Sequence, residues 1–109
     1  MSDVTTVGLD LAKSTFHLVQ LDDSGEMVMK RKLRRAQLEN AISKLPVCVV
    51  AMEACGSAHY WARKFEAIGH TVKLLPPQHV KGYLRGQKND FNDARAIAEA
   101  SIHASIRPV

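Results

Sequence analysis

Asp10 and Glu53 each follow a run of apolar residues, at 4–9 and 47–52, and Asp90 and Asp93 stand three apart further along the chain. Carboxylates held a few ångströms from one another repel, and one of them is then forced to keep its proton. A divalent cation removes that conflict. Mg²⁺ takes oxygen ligands and keeps waters and phosphate oxygens as its remaining partners. Two such ions about 4 Å apart activate the attacking oxygen and steady the leaving oxygen of a phosphodiester. If the four acids meet, the chemistry they suit is metal-assisted phosphoryl transfer, with Mg²⁺ as the ion and Mn²⁺ as its substitute.

Each acid also has a plainer explanation. An Asp after a strand is often a turn residue. Asp90 and Asp93 fit an N-cap and an N3 acid that satisfy free backbone amides and the helix dipole, and on spacing alone capping is the commoner outcome. Glu53 is harder to set aside, because a Glu closing a buried run costs desolvation energy unless something charged meets it.

The elements that must position these groups follow from periodicity. Residues 4–9 are β-branched and apolar and form a strand ending at Asp10; after a turn at 11–14, residues 15–21 form a second strand. Asp22-Asp23-Ser24-Gly25 is a hairpin turn, and residues 26–33 return as a third, antiparallel strand. Leu38, Ala41, Ile42 and Leu45 have helical spacing, and Pro46 stops that helix. Residues 47–52 are a continuous apolar run, the pattern of a strand covered on both faces. Ser57 is placed to cap a helix over 58–68, with Trp61, Phe65 and Ile68 on one stripe and Gly69 as its stop. A short strand at 71–75 runs into Pro76-Pro77, a helical turn and a mobile loop occupy 78–87, and a last helix begins at 89 or 90 and ends near 107.

The order β-β-β-α-β-α-β-α predicts an α/β fold with a mixed sheet of ribonuclease-H-like architecture, parallel wherever a helix intervenes. If the first and fourth strands are parallel neighbours in that arrangement, Asp10 and Glu53 lie at one sheet edge, where open α/β sheets carry their sites. Asp90 and Asp93 share a helix face.

The chain has 109 residues, 46% of them hydrophobic, which is the size and composition of a single domain over 1–109. So short a chain leaves little room for a deep cleft of its own. The formal charge is +4, and five of the cations, Lys30, Arg31, Lys32, Arg34 and Arg35, fall within six residues. That run is either a solvated strand end or a contact for a DNA or RNA backbone. Two cysteines, Cys48 and Cys55, make no disulfide framework, and the absence of a signal peptide and of any membrane-length apolar run points to the cytoplasm. Cys48 reads as a buried small hydrophobe and Cys55 as half exposed; the five histidines have no zinc-ligand spacing. Ser14 and Thr15, beside Asp10, read as turn residues before phosphate contacts.

Three stretches carry a resemblance. Val7-Gly8-Leu9-Asp10-Leu11-Ala12-Lys13, Met52-Glu53-Ala54-Cys55-Gly56 and Lys88-Asn89-Asp90-Phe91-Asn92-Asp93-Ala94-Arg95-Ala96-Ile97-Ala98 resemble the three signature blocks of the DEDD insertion-sequence transposases, a family that includes site-specific DNA invertases. The resemblance covers nearly the whole chain, and the third block is the most specific. It implies a RuvC-like domain in which Asp10, Glu53, Asp90 and Asp93 are the acidic tetrad that binds Mg²⁺. Lys88 matches a basic position beside the tetrad, and with Lys13, Arg31, Lys32, Arg34 and Arg35 it makes the set expected to contact nucleic acid. Tyr60 and Trp61, after the Glu block, are expected to face the core. The family further implies a C-terminal domain with a nucleophilic serine, absent from these residues, so that this part alone is weak or inactive. It also implies a DNA partner, a structured guide RNA and a homo-oligomer.

Two other functions compete with this one. An ATP-binding domain of the actin and sugar-kinase type shares the strand order, but its site needs a Gly-rich phosphate turn where Leu11-Ala12-Lys13-Ser14 stands. A non-enzymatic nucleic-acid or protein interaction module is the other, and DNA binding indifferent to Mg²⁺ and to Asp10→Ala would identify it.

Overall fold

The computed structural model describes residues 6–11, 15–83 and 90–103, with backbone only at 90 and 103. Among the described residues nine elements run in the order β1 (Thr6–Asp10), β2 (Thr15–Leu21), β3 (Met27–Arg34), α1 (Arg35–Ser43), β4 (Val49–Glu53), α2 (Ala58–Ile68), β5 (Thr71–Leu75), α3 (Pro77–Lys81) and α4 (Asp90–His103). The expected order is met, and the helical turn expected after 78 is the separate short helix α3.

The first three strands form a meander. Between β2 and β3, Asp22 Oδ1 accepts from the Ser24 amide (2.9 Å), the Ser24 hydroxyl (2.7 Å) and the Glu26 amide (3.0 Å). Gly25 completes that turn at φ +85°, a conformation that favours glycine. The five strands make one sheet in the order β3-β2-β1-β4-β5, antiparallel through the meander and parallel for β1-β4 and β4-β5. Parallel pairing follows from the helices, since α1 and α2 return the chain to the edge from which the next strand starts.

Alternate residues of each strand serve two different layers. Val7, Leu9, Phe16, Leu18, Val50, Met52, Val72 and Leu74 pack with α1 and α2 through Leu38, Ile42, Trp61 and Phe65 in the larger core. The opposite face carries Val19, Leu21, Ala51 and Leu75 against Ala94, Ala96, Ile97, Ala98 and Ala100 of α4. The sheet is thus covered on both sides, as the apolar run in β4 requires.

α4 comes very close to β1. A Cβ built on Gly8 would collide with the carbonyl oxygen of Ala94 and lie 2.8 Å from both the Cβ and the amide nitrogen of Ala98. At the far end of the helix, Lys73 Nζ donates to the Ser101 carbonyl at 3.3 Å, a cation on a C-terminal carbonyl as the helix dipole favours.

Several local readings of the sequence need correction. Val47 lies outside β4 and is 74% exposed, because the β4–β5 ladder begins only at Val49↔Thr71. Ser57 precedes α2 but makes no side-chain cap; its backbone is already helical at φ −89°, ψ −10°, which turns the hydroxyl away from the amides it would have served. Tyr60 is 42% exposed whereas Trp61 is buried, the two falling on different sides of α2's apolar stripe. Gly69 does stop α2, at φ +118°. Residues 12–14, including Lys13 and Ser14 and the turn expected there, and residues 84–89, including Lys88, lie outside the described residues.

Candidate active site

Asp10 is the last residue of β1 and Glu53 the last of β4. The two strands pair in parallel with Leu9 opposite Met52, which carries the next rung to Asp10 beside Glu53. Adjacent strands lie about 4.8 Å apart, so register alone makes these carboxylates neighbours at the carboxyl edge of the sheet. Both occupy positions of the α4 face, Asp10 two residues beyond Gly8 and Glu53 two beyond Ala51.

α4 supplies the third acid. Asp93 lies in its first turn, one residue before Ala94, which packs against Val19 and Leu21. Asp10, Glu53 and Asp93 line one cleft of about 240 Å³, together with Pro77, Val80 and Lys81 of α3 and Ile97 of α4. The side chain of Asp90 is outside the described atoms; its backbone opens α4, three residues before Asp93. Among the described residues, no three His, Cys, Asp or Glu side chains converge tightly enough to grip one ion. The acids share a cleft, not a closed coordination shell.

α3 meets the helical turn expected from sequence, but its place as a wall of the acidic cleft was not foreseen. Its Val80 is buried against Ala51, Leu75 and Ile97, which fixes Lys81 at the rim of the acidic cleft. The available signal was Pro76-Pro77, since proline suits the first turn of a helix, followed by a single apolar residue at Val80.

β2 supports the site from the other side. His17 pairs with Asp10 in the ladder and is buried, with its ring edge-on to Phe91 at 4.9 Å. Phe91 follows Asp90 and lies under Lys30 Nζ, 5.2 Å from the ring centroid, so it ties the first turn of α4 to β2 and β3.

The remaining candidates resolve by location. Arg31, Lys32 and Arg34 are exposed on β3. The guanidinium of Arg35 lies 5.2 Å from the Trp61 ring and 5.8 Å from that of Tyr60, on the α2 side of the sheet. His70 is structural: Cys48 N–H donates to its Nδ1 at 3.3 Å, which leaves Nε2 to donate to the Ile42 carbonyl at 2.9 Å. Burial pushes the Cys48 thiol up to about 11, while Cys55 is exposed. No helix among the described residues is long and apolar enough to cross a membrane.

A meander of three antiparallel strands, two parallel additions and acids at the carboxyl edge under a final helix define a domain of the RuvC type, within the ribonuclease-H-like fold. The chain superposes on Thermus thermophilus RuvC with a TM-score of 0.67 at 11% identity, covering 95% of this chain and 99% of that one. T. thermophilus RuvC in complex with a Holliday junction substrate gives a TM-score of 0.65 at 12% identity, covering 95% of this chain and 98% of that one.

The sequence is more specific than the fold. A family model described as "Transposase", of the IS110 group of DEDD transposases, matches residues 7–109, and the chain belongs to that family. It is similar to a probable family 20 transposase of Pseudomonas aeruginosa, 50% identical over 107 residues, covering 98% of this chain and 32% of the relative. The transposase for insertion sequence element IS1111A of Coxiella burnetii is 45% identical over 107 residues, covering 98% of this chain and 29% of the relative. The chain therefore spans about a third of the length of these relatives.

Proposed function

We propose that residues 1–109 are the acid-bearing catalytic domain of a longer enzyme that cuts and transfers DNA strands in transposition. Asp10 and Glu53 hold a divalent cation from the sheet, and Asp90 and Asp93 hold it from α4. The observation that carries this reading is the meeting of Asp10, Glu53 and Asp93, remote in sequence, around a single cleft.

The donor set fits Mg²⁺ or Mn²⁺: the candidate ligands are all carboxylates, with no Cys or His among the described residues that line the cleft to favour zinc. When bound, the ion neutralises the clustered charge and lowers the pKa of the attacking hydroxyl. The chain's own residues do the rest. The β1–β4 ladder holds two carboxylates at fixed spacing, Lys81 offers its ammonium to a phosphate oxygen at the rim, and Val80 and Ile97 give the cleft an apolar wall. The family resemblance adds a second domain whose serine serves strand transfer. DNA as the partner is supported by the family and by the junction-bound RuvC of the same fold. A structured guide RNA and self-association belong to the same reading and rest on the family resemblance.

A Mn²⁺ titration followed by NMR line broadening tests the shared site. Amide signals at Asp10, Glu53, Asp90 and Asp93 should fade together, and Asp10→Ala should abolish the effect. Broadening at Asp10 and Glu53 alone would remove the helix acids from the site. No selective broadening at millimolar Mn²⁺ would sink the metal reading.

A further inference from the structure

The five cations between Lys30 and Arg35 are not equivalent, because side chains of a strand alternate between the two faces of its sheet. The ladder shows which face each one takes. Lys32 pairs with His17, and His17 pairs with Asp10. Lys30 pairs with Val19, which packs against α4, and Arg34 pairs with Thr15, two residues before His17. Lys30, Lys32 and Arg34 therefore stand on the face that carries Asp10, Glu53 and α4. The placement of Lys30 Nζ over Phe91 of α4 agrees with this. Arg31 pairs with Leu18 of the larger core and stands on the other face, and Arg35 is held over Trp61 and Tyr60.

We propose that Lys30, Lys32 and Arg34 form a track for the phosphate backbone of a DNA strand that crosses the sheet edge into the acidic cleft. The inference rests on the nuclease reading above and adds to it where the substrate lies. Lys32 occupies the same rung as Asp10, two strands and about 9.6 Å away, within reach of a phosphate close to the one cleaved. Lys32 and its neighbours at i±2 repeat at about 6.8 Å along β3. β3 is one of the sheet's two edge strands among the described residues, carries no Asp or Glu, and has all three cations exposed. A polyanion approaching three or four clustered carboxylates needs compensating charge nearby, and these are the described cations that share the acids' face of the meander. Charged side chains on an edge strand also deter pairing with other strands, but that role is indifferent to the face they occupy and leaves DNA affinity unmoved.

The test compares two pairs of equal charge in the full-length transposase: Lys32→Gln with Arg34→Gln, and Arg31→Gln with Arg35→Gln. Binding to a mixed-sequence DNA duplex with a single-stranded tail is measured across salt concentrations. Each lost phosphate contact lowers the log–log salt slope by about 0.7–0.9, so the first pair should lose about 25–60-fold in affinity at 0.1 M salt, a deficit that vanishes near 1 M. The second pair should bind within about twofold of the unaltered protein. Equal losses in both pairs would mean a diffuse field with no track, and no loss in the first pair, or loss only against an RNA competitor, would equally overturn it. Asp10→Asn, assayed for cleavage of the same DNA, separates the two readings. If it abolishes cleavage while the first pair binds normally, the track alone fails; if it cleaves normally, the nuclease reading fails.

Discussion

Replacing Gly8 with alanine tests whether the helix acid works only when α4 lies flush on β1. The new Cβ would collide with the Ala94 carbonyl oxygen and sit 2.8 Å from Ala98, against an ordinary contact distance of 3.4 Å or more. Two of the three obstructing atoms belong to the backbone of α4, so no side-chain rotation relieves them. The helix must retreat by at least about 0.6 Å at Ala98 and by more at Ala94, next to Asp93. Overpacking of this kind costs about 1–3 kcal/mol of stability. A misplacement of about 1 Å among reacting groups can cost about 100-fold in rate. The expected result is a full-length Gly8→Ala protein that stays folded at the assay temperature yet cleaves DNA about 100-fold more slowly. Thermal unfolding and a DNA-cleavage assay with added Mg²⁺ on one preparation read both quantities. Adding Ala98→Gly should restore only part of the loss, since it clears the Cβ contact and leaves the backbone ones. Cleavage within about twofold of the unaltered protein would refute the claim that the Gly8 contact sets the position of Asp93.

Phe65 is fully buried in the larger core and stacks on Trp61 at 5.7 Å, so Phe65→Ala should lower the unfolding free energy by about 3–5 kcal/mol, measured by urea denaturation. Cysteine reactivity should split sharply. With its thiol pushed up to about 11, Cys48 is ionised to only about one part in a thousand at pH 8, and it gains thiolate as the pH rises towards 11. Cys55 is exposed, so mass spectrometry after iodoacetamide at pH 8 should find Cys55 alkylated and Cys48 intact. Equal labelling in the folded protein would contradict the buried position of Cys48.

Much of this architecture is legible in the amino-acid sequence. The second strand, α2 and β5 follow from periodicity and from their stop signals, the Asp22–Gly25 turn and Gly69, because a turn or a left-handed residue ends an element wherever it occurs. Asp10 and Glu53 could be paired from sequence since parallel neighbours separated by crossovers must present their carboxyl ends together. What escaped depends on register and on burial. Val47 looks like strand, but only pairing with β5 decides where β4 begins. Tyr60 and Trp61 are adjacent aromatics that no composition rule separates, and the helix stripe puts only Trp61 in the core. The cations of β3 read as one run until the partners of Lys32 and Arg31 divide them between faces.

The division between sheet and helix explains why the site depends on α4 packing. Asp10 and Glu53 each directly follow a rung of the central β1–β4 ladder, Leu9 opposite Met52, so their separation survives most side-chain changes. Asp93 follows no such rung. Its place depends on an interlayer contact in which a glycine faces a helix rich in alanine: Ala94, Ala96, Ala98 and Ala100 are all buried. Small side chains there let the helix axis come close enough for a short Asp side chain to share a cleft with acids on the sheet. The aromatic contact of Phe91 with His17 then anchors the first turn beside the rung of Asp10. Larger residues along that seam would still fill a core and leave the carboxylates of the sheet in place. They would move Asp93 away from that cleft, so under the proposed function this seam carries a constraint beyond what folding requires.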